Sequence, residues 1–379
     1  MKKLFLLSVT VQMAVASFSP YLQIIFRNKG YSHTLTGVLV ALCQLSAIVM
    51  PMIISSTSDR KGKTSPFIAL VALLSIILAV IFLLSDSLVV TVLSSFLLNG
   101  FFWCMNPLAD GMLNRSLKGD SSSYGIIRAM GTMSYVIVLV AFALIGFPDE
   151  KSNSSILIAI VAGTSLPLIT SMIQDEKKRE VKESAKTSFS FSWFPKRFYV
   201  FMAIVAATRV GQSVVEKLLS SYMTENLGLG SYFLLFVALG ALCEFFCMIG
   251  FGRLKRKGIL TSWALLLISA IGLTVRLLLY LIPGIPAFAI AQTLHGLTFG
   301  VLHVAATGYA ADNVSSEHYD LAMTIYWSVA TNLPEMLGAL AGGYVIEYFG
   351  YPMLFLSYSA FPFAAVILCF VFRKLLEEK

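Results

Sequence analysis

Ten side chains able to carry charge interrupt otherwise apolar runs: Asp110, Arg128, Arg209, Glu216, Lys217, Glu244, Arg276, His295, His303 and Glu335. Carboxyls, guanidinium groups and imidazoles at such positions can exchange protons and hold charged or hydroxylated groups through strong hydrogen bonds. Arg209 and Glu216 are seven residues apart, two turns along one helix face, which suits an intrahelical structural arrangement as well as a ligand contact. Trp103 stands at the same spacing before Asp110 and lines a cavity or packs between helices. Glu335 follows Pro334, which frees a backbone carbonyl and bends a helix, as a cavity wall requires. Neither a zinc-hydrolase HExxH, a GxSxG nucleophile nor a phosphate loop occurs, so enzymatic chemistry is not expected. The five cysteines all fall within apolar runs, which indicates neither a disulfide framework nor a closed zinc site, and no metal or cofactor is expected.

The apolar runs are the elements that must position these groups. Hydrophobic residues make up 57% of the 379, charged residues 13%, and the mean hydropathy is +0.81. A soluble domain carries about 25% charged residues, so lipid is the solvent here. A bilayer core of about 30 Å takes roughly 20 apolar residues of helix, and every backbone polar group must be satisfied within it. Twelve runs are long enough: 4–26, 35–57, 66–84, 88–113, 125–147, 155–173, 198–220, 231–251, 261–282, 285–310, 321–346 and 352–372. The first exceeds the roughly 7–15 residues of a signal peptide's apolar region, so it counts as a span.

Loops on the side of the termini hold 21 lysines and arginines and those on the other side hold 3, which places both termini in the cytoplasm; the expected location is the inner membrane. The same topology accounts for the net charge of +8 without any nucleic-acid partner. A charged stretch over 174–197 divides the chain into a six-helix half at 1–173 and a second at 198–379. The halves echo each other. Ser58-Asp59-Arg60-Lys61-Gly62-Lys63 follows the second span and Gly252-Arg253-Leu254-Lys255-Arg256-Lys257-Gly258 follows the eighth, as in duplicated secondary transporters.

With this loop, twelve spans and a central linker, the chain resembles the major facilitator superfamily over essentially its whole length. The resemblance implies an all-α fold of twelve transmembrane helices in two halves, acting as a monomer. Asp59, Arg60 and Gly62 would form the gating loop, although the expected leading glycine is Ser55 or Ser56 here. Asn106-Pro107-Leu108-Ala109-Asp110-Gly111, with Tyr124-Gly125-Ile126-Ile127-Arg128-Ala129-Met130-Gly131, is similar to the branch holding lactose permease and the phenylpropionate permease-like transporters. By that likeness Asp110, Arg128 and Tyr135 contact substrate; the alternative for the first two is a structural ion pair at the cytoplasmic rim. Glu244, Arg276 and His295 match embedded residues that serve substrate binding and proton coupling in that branch.

The acidic residue expected one turn after the histidine is Thr298 here, and Gln292 replaces a lysine one turn before it. Glu335 is the remaining deep carboxyl and is expected to carry the proton instead; permanently neutral helix packing is its alternative. Sodium coupling would need clustered oxygen ligands, whereas these acids are scattered over spans four, seven, eight and eleven. The expectation is a proton symporter importing a small organic solute such as an aromatic or other carboxylate, sugar or nucleoside. The alternative is a proton-driven exporter of amphipathic compounds, against which the fifth span lacks a Gly-Pro-rich antiporter pattern.

Overall fold

The computed structural model describes residues 2–116, 121–174, 194–314 and 319–377. The described residues are helical throughout apart from short turns. In chain order the long helices are α1 (Lys2–Asn28), α2 (His33–Lys61), α3 (Ser65–Leu84), α4 (Leu88–Ser116), α5 (Ser121–Ile145), α6 (Asn153–Met172), α7 (Lys196–Asn226), α8 (Gly230–Arg256), α9 (Ser262–Leu279) and α10 (Ile285–Asn313). The last apolar stretch, Ala322–Val371, has 50 residues. At about 1.5 Å per residue it would be far longer than a bilayer core of about 30 Å. Gly350, at φ 77°, breaks it into α11 (322–349) and α12 (351–371). The chain is therefore a multi-pass membrane protein of twelve transmembrane helices. The linker expected over 174–197 lies outside the described residues between 175 and 193.

Two compact units result. One comprises Met1–Ser32, Leu39–Ala185 and Gly228–Ala238, the other His33–Val38, Lys186–Leu227 and Leu239–Lys379. They differ from a division at 1–173 and 198–379 by two exchanged helix starts, and local contacts explain the difference. The backbone N–H of Thr34 donates to Glu347 Oε2 at 2.7 Å, which sets a carboxylate against the positive end of α2. Ser231 Oγ lies 3.1 Å from Glu150 Oε2, and the Phe233 ring meets Tyr21 edge-on at 5.8 Å.

Helices in lipid gain little from burying apolar surface and associate through close packing of small residues. In the first unit, a Cβ on Gly163 of α6 would come within 2.6 Å of Ser17 Cβ on α1, and one on Gly100 of α4 within 2.6 Å of Met50 Cγ on α2. In the second unit, a Cβ on Gly338 would overlap the Ser213 hydroxyl and approach Ser213 Cβ to 2.8 Å and the Val210 carbonyl to 3.1 Å. Both turns singled out by the repeat end on a left-handed glycine, Gly62 at φ 71° and Gly258 at φ 69°. Outside the spans, Lys29 donates to the carbonyls of Leu83 and Ser85 at the C-terminal end of α3, and burial holds its ammonium below the ordinary lysine value.

Gly338→Ala is expected to destabilise the folded protein by about 1–3 kcal/mol through overpacking. Gly250→Ala is expected to leave stability unchanged, because nothing lies within 4 Å of an added Cβ there. Melting temperatures of the two purified variants in one detergent check this, and equal values would contradict it.

Candidate functional site

Two groups of embedded charges lie in the second unit. The first is centred on Arg276 of α9, which is fully buried. Its Nε donates to Tyr280 Oη at 3.0 Å, one Nη to Thr298 Oγ1 at 3.1 Å, and the other to Gln292 Oε1 at 2.9 Å. Arg276 Nη1 also lies 2.7 Å from His295 Nδ1, and His295 Nε2 lies 3.5 Å from Glu244 Oε2. Thr298 and Gln292, the two departures from the lactose permease pattern, thus both serve Arg276 as neutral acceptors.

This arrangement fixes the state of the imidazole. Arginine has no acceptor, so the Arg276 hydrogen bond makes Nδ1 an acceptor. The ring proton of neutral His295 then sits on Nε2 and faces Glu244. The pair is seated in notches cut by glycine: a Cβ on Gly240 of α8 would meet the His295 ring at 3.3 Å, and one on Gly300 of α10 would meet Glu244 Cγ at 3.2 Å.

The second group surrounds Glu335 of α11. Arg209 of α7 is paired with Glu335 Oε1, and Lys217 Nζ lies 3.4 Å from Oε2. Arg209 and Glu335 are each 3% exposed. The Arg209 guanidinium also stacks on the Phe299 ring of α10, 4.9 Å from its centroid. Glu335 therefore engages Arg209 and Lys217, whereas Arg276 is engaged elsewhere.

Sequence spacing pointed to Glu216 as the side chain sharing a face with Arg209, and it missed Lys217. The reason is local. Residues Val214–Leu218 form a π-helical turn, whose extra residue rotates the chain so that position 217 reaches the Arg209 face. Glu216 instead accepts from Gln212 Nε2 at 3.0 Å and is exposed. Further π-helical turns occur at Gly296–Gly300, beside His295, and at Ile325–Asn332, just before Glu335.

The first unit holds the remaining expected site residues. Asp110 and Trp103 lie half-buried on α4, where Trp103 meets Phe102 edge-on at 6.2 Å, and Tyr135 lies half-buried on α5. Arg128 is on α5; its side chain and that of Asp59 lie outside the described residues. Arg60 is exposed, and the Gly62 N–H closes the end of α2 on the Ser58 carbonyl at 3.0 Å.

The description "MFS_1 like family" fits residues 6–357 of this chain. A protein of Escherichia coli strain K12 named as a probable 3-phenylpropionic acid transporter is 24% identical over 345 residues, 88% of each chain. A transporter of Bacillus subtilis strain 168, YwbF, is 19% identical over 359 residues, 93% of this chain and 88% of its own. Among solved structures, a mutant of the nucleoside transporter NupG superposes with a TM-score of 0.84 at 15% identity over 99% of both chains. A POT family transporter in complex with a thioalcohol-conjugated peptide gives 0.79 at 12% identity, covering 100% of this chain and 96% of its own. These likenesses establish the fold.

The tautomer can be read directly. In protein retaining His295 as its only histidine, the 15N shifts of the neutral ring are expected to show hydrogen on Nε2 and none on Nδ1. The reverse assignment would contradict the Arg276 contact.

Proposed function

We propose that this chain, which belongs to the MFS_1-like family and is a transporter rather than an enzyme, imports a small organic carboxylate together with a proton. The observation that carries this reading is charge balance. Around the two groups just described, three basic side chains, Arg209, Lys217 and Arg276, stand with three acidic ones, Glu216, Glu244 and Glu335. An organic anion entering such a set adds an uncompensated negative charge at several kcal/mol unless a proton arrives with it. Glu335 is the proposed proton carrier: it is the most deeply buried carboxyl of the three, and it already faces two cations.

Arg276, His295 and Glu244 form the proposed coupling relay, with Glu244 also available to substrate. In the first unit, Asp110, Arg128, Tyr135 and Trp103 are the proposed substrate contacts, and Asp59, Arg60 and Gly62 the gating loop. An aromatic acid is the favoured cargo class, since the E. coli relative is named for 3-phenylpropionic acid. Both termini are assigned to the cytoplasm on the lysine and arginine bias, in the inner membrane of a cell that maintains a proton gradient, with the monomer as the working form.

The Glu335→Gln variant mimics the protonated carrier. In cells or vesicles it is expected to exchange labelled 3-phenylpropionate across the membrane until inside and outside concentrations are equal, but not to accumulate it. Wild-type accumulation is expected to collapse with a protonophore and to persist without sodium. Uphill accumulation by Glu335→Gln would move the proton to Glu244 or His295, and sodium-dependent uptake insensitive to the protonophore would overturn the proton reading.

A further inference from the structure

Arg209 is nearly fully buried, and its Nε has no hydrogen-bond partner among the described residues. Its planar fork suits a carboxylate held by two parallel bonds, yet Glu335 meets it through a single oxygen. The other Glu335 oxygen is turned to Lys217, so one internal carboxylate is divided between two cations. Lys217 is 22% exposed and follows the exposed Glu216 along the same stretch of α7. Lys217 therefore forms the exposed edge of the cluster, while Phe299 covers a face of the guanidinium.

We propose that Arg209 and Lys217 form a carboxylate-binding subsite that the chain fills with its own Glu335, and that an arylalkyl monocarboxylate replaces Glu335 there. The proposal rests on the carboxylate-import reading and deepens it by naming where the carboxylate lands and what it displaces. In the exchange, one proton arriving at the exposed edge binds a Glu335 oxygen and the neutral carboxyl leaves Arg209. The ligand's carboxylate then takes both guanidinium donors, including the unused Nε, with Lys217 alongside. No net charge is added to the cluster.

An aryl group next to that carboxylate meets a face already built from rings. Phe299 lies between His295 and His303, with centroids 6.1 and 6.5 Å away and ring planes within 8° of its own. Trp327, 40% exposed, lies 5.4 Å from His303. The ionisable groups around Glu335 are Arg209 and Lys217 from α7 and Tyr326 from α11. Glu216 lies within electrostatic reach of both cations and of His295, and Glu244 within reach of Tyr326.

The test is binding by purified full-length protein in detergent, measured calorimetrically with 3-phenylpropionate and with its uncharged amide at pH 6 and pH 8. Wild type is expected to bind the acid more tightly at pH 6. Glu335→Gln, with the internal competitor neutralised, is expected to bind it at pH 8 at least about tenfold more tightly than wild type, with little pH dependence. The double variant Arg209→Gln/Glu335→Gln, which leaves no buried unpaired charge at this pair, is expected to lose at least about tenfold relative to Glu335→Gln. Equal affinity of the single and double variants would overturn the subsite while leaving carboxylate import standing. Unchanged affinity of Glu335→Gln at pH 8, or amide binding equal to acid binding, would overturn it likewise. If neither wild type nor Glu335→Gln binds the acid at either pH, the subsite and the arylalkyl carboxylate reading fall together.

Discussion

An ion taken out of water into a helical bundle must find its compensation inside the protein, at a cost of several kcal/mol for each one left alone. Nearly every feature of the second unit follows from that requirement. Arg276 is satisfied by four neutral acceptors, so its charge is spread through hydrogen bonds without a carboxylate in direct contact. Arg209 is satisfied by Glu335 and by an aromatic face, and Glu335 in turn by Lys217. Under the proposed import of a carboxylate with a proton, the set is neutral at rest and an anion enters it only with a cation.

Placing these groups depends on backbone features that apolar packing alone does not demand. Glycines at 240, 296 and 300 let α8 and α10 approach closely enough for His295 to lie beside Glu244. Gly338 does the same for α7 and α11, next to the Arg209–Glu335 pair. π-Helical turns in α7, α10 and α11 aim side chains that a regular helix would turn aside. Gly342 and Gly343, farther along α11, likewise allow close packing, with Leu218 and the start of α2 respectively.

The spans were legible because lipid imposes one rule on backbone and side chain alike, and the long apolar runs from 4–26 to 352–372 obey it. Gly350 merely joins the last two through a kink. Arg276, His295 and Glu244 were legible by family likeness, and the structure does bring them together. The partners of Glu335 were not. Its contact with Arg209 joins residues 126 positions apart, and the π-helical turn at Val214–Leu218 defeats the spacing argument that favoured Glu216 over Lys217. The roles of Thr298 and Gln292 were equally hidden: each looked like the loss of a charged residue, and each proves to be a neutral acceptor for a buried guanidinium.

The most direct measurement is the electrical character of transport by purified protein in vesicles, with 3-phenylpropionate as cargo. Charge balance predicts one proton per monocarboxylate: a pH gradient, acid outside, drives accumulation, and a potassium-diffusion potential imposed with valinomycin at equal pH drives none. Accumulation that follows the imposed potential at equal pH would mean that net charge crosses with the substrate, and would contradict the neutral-site account.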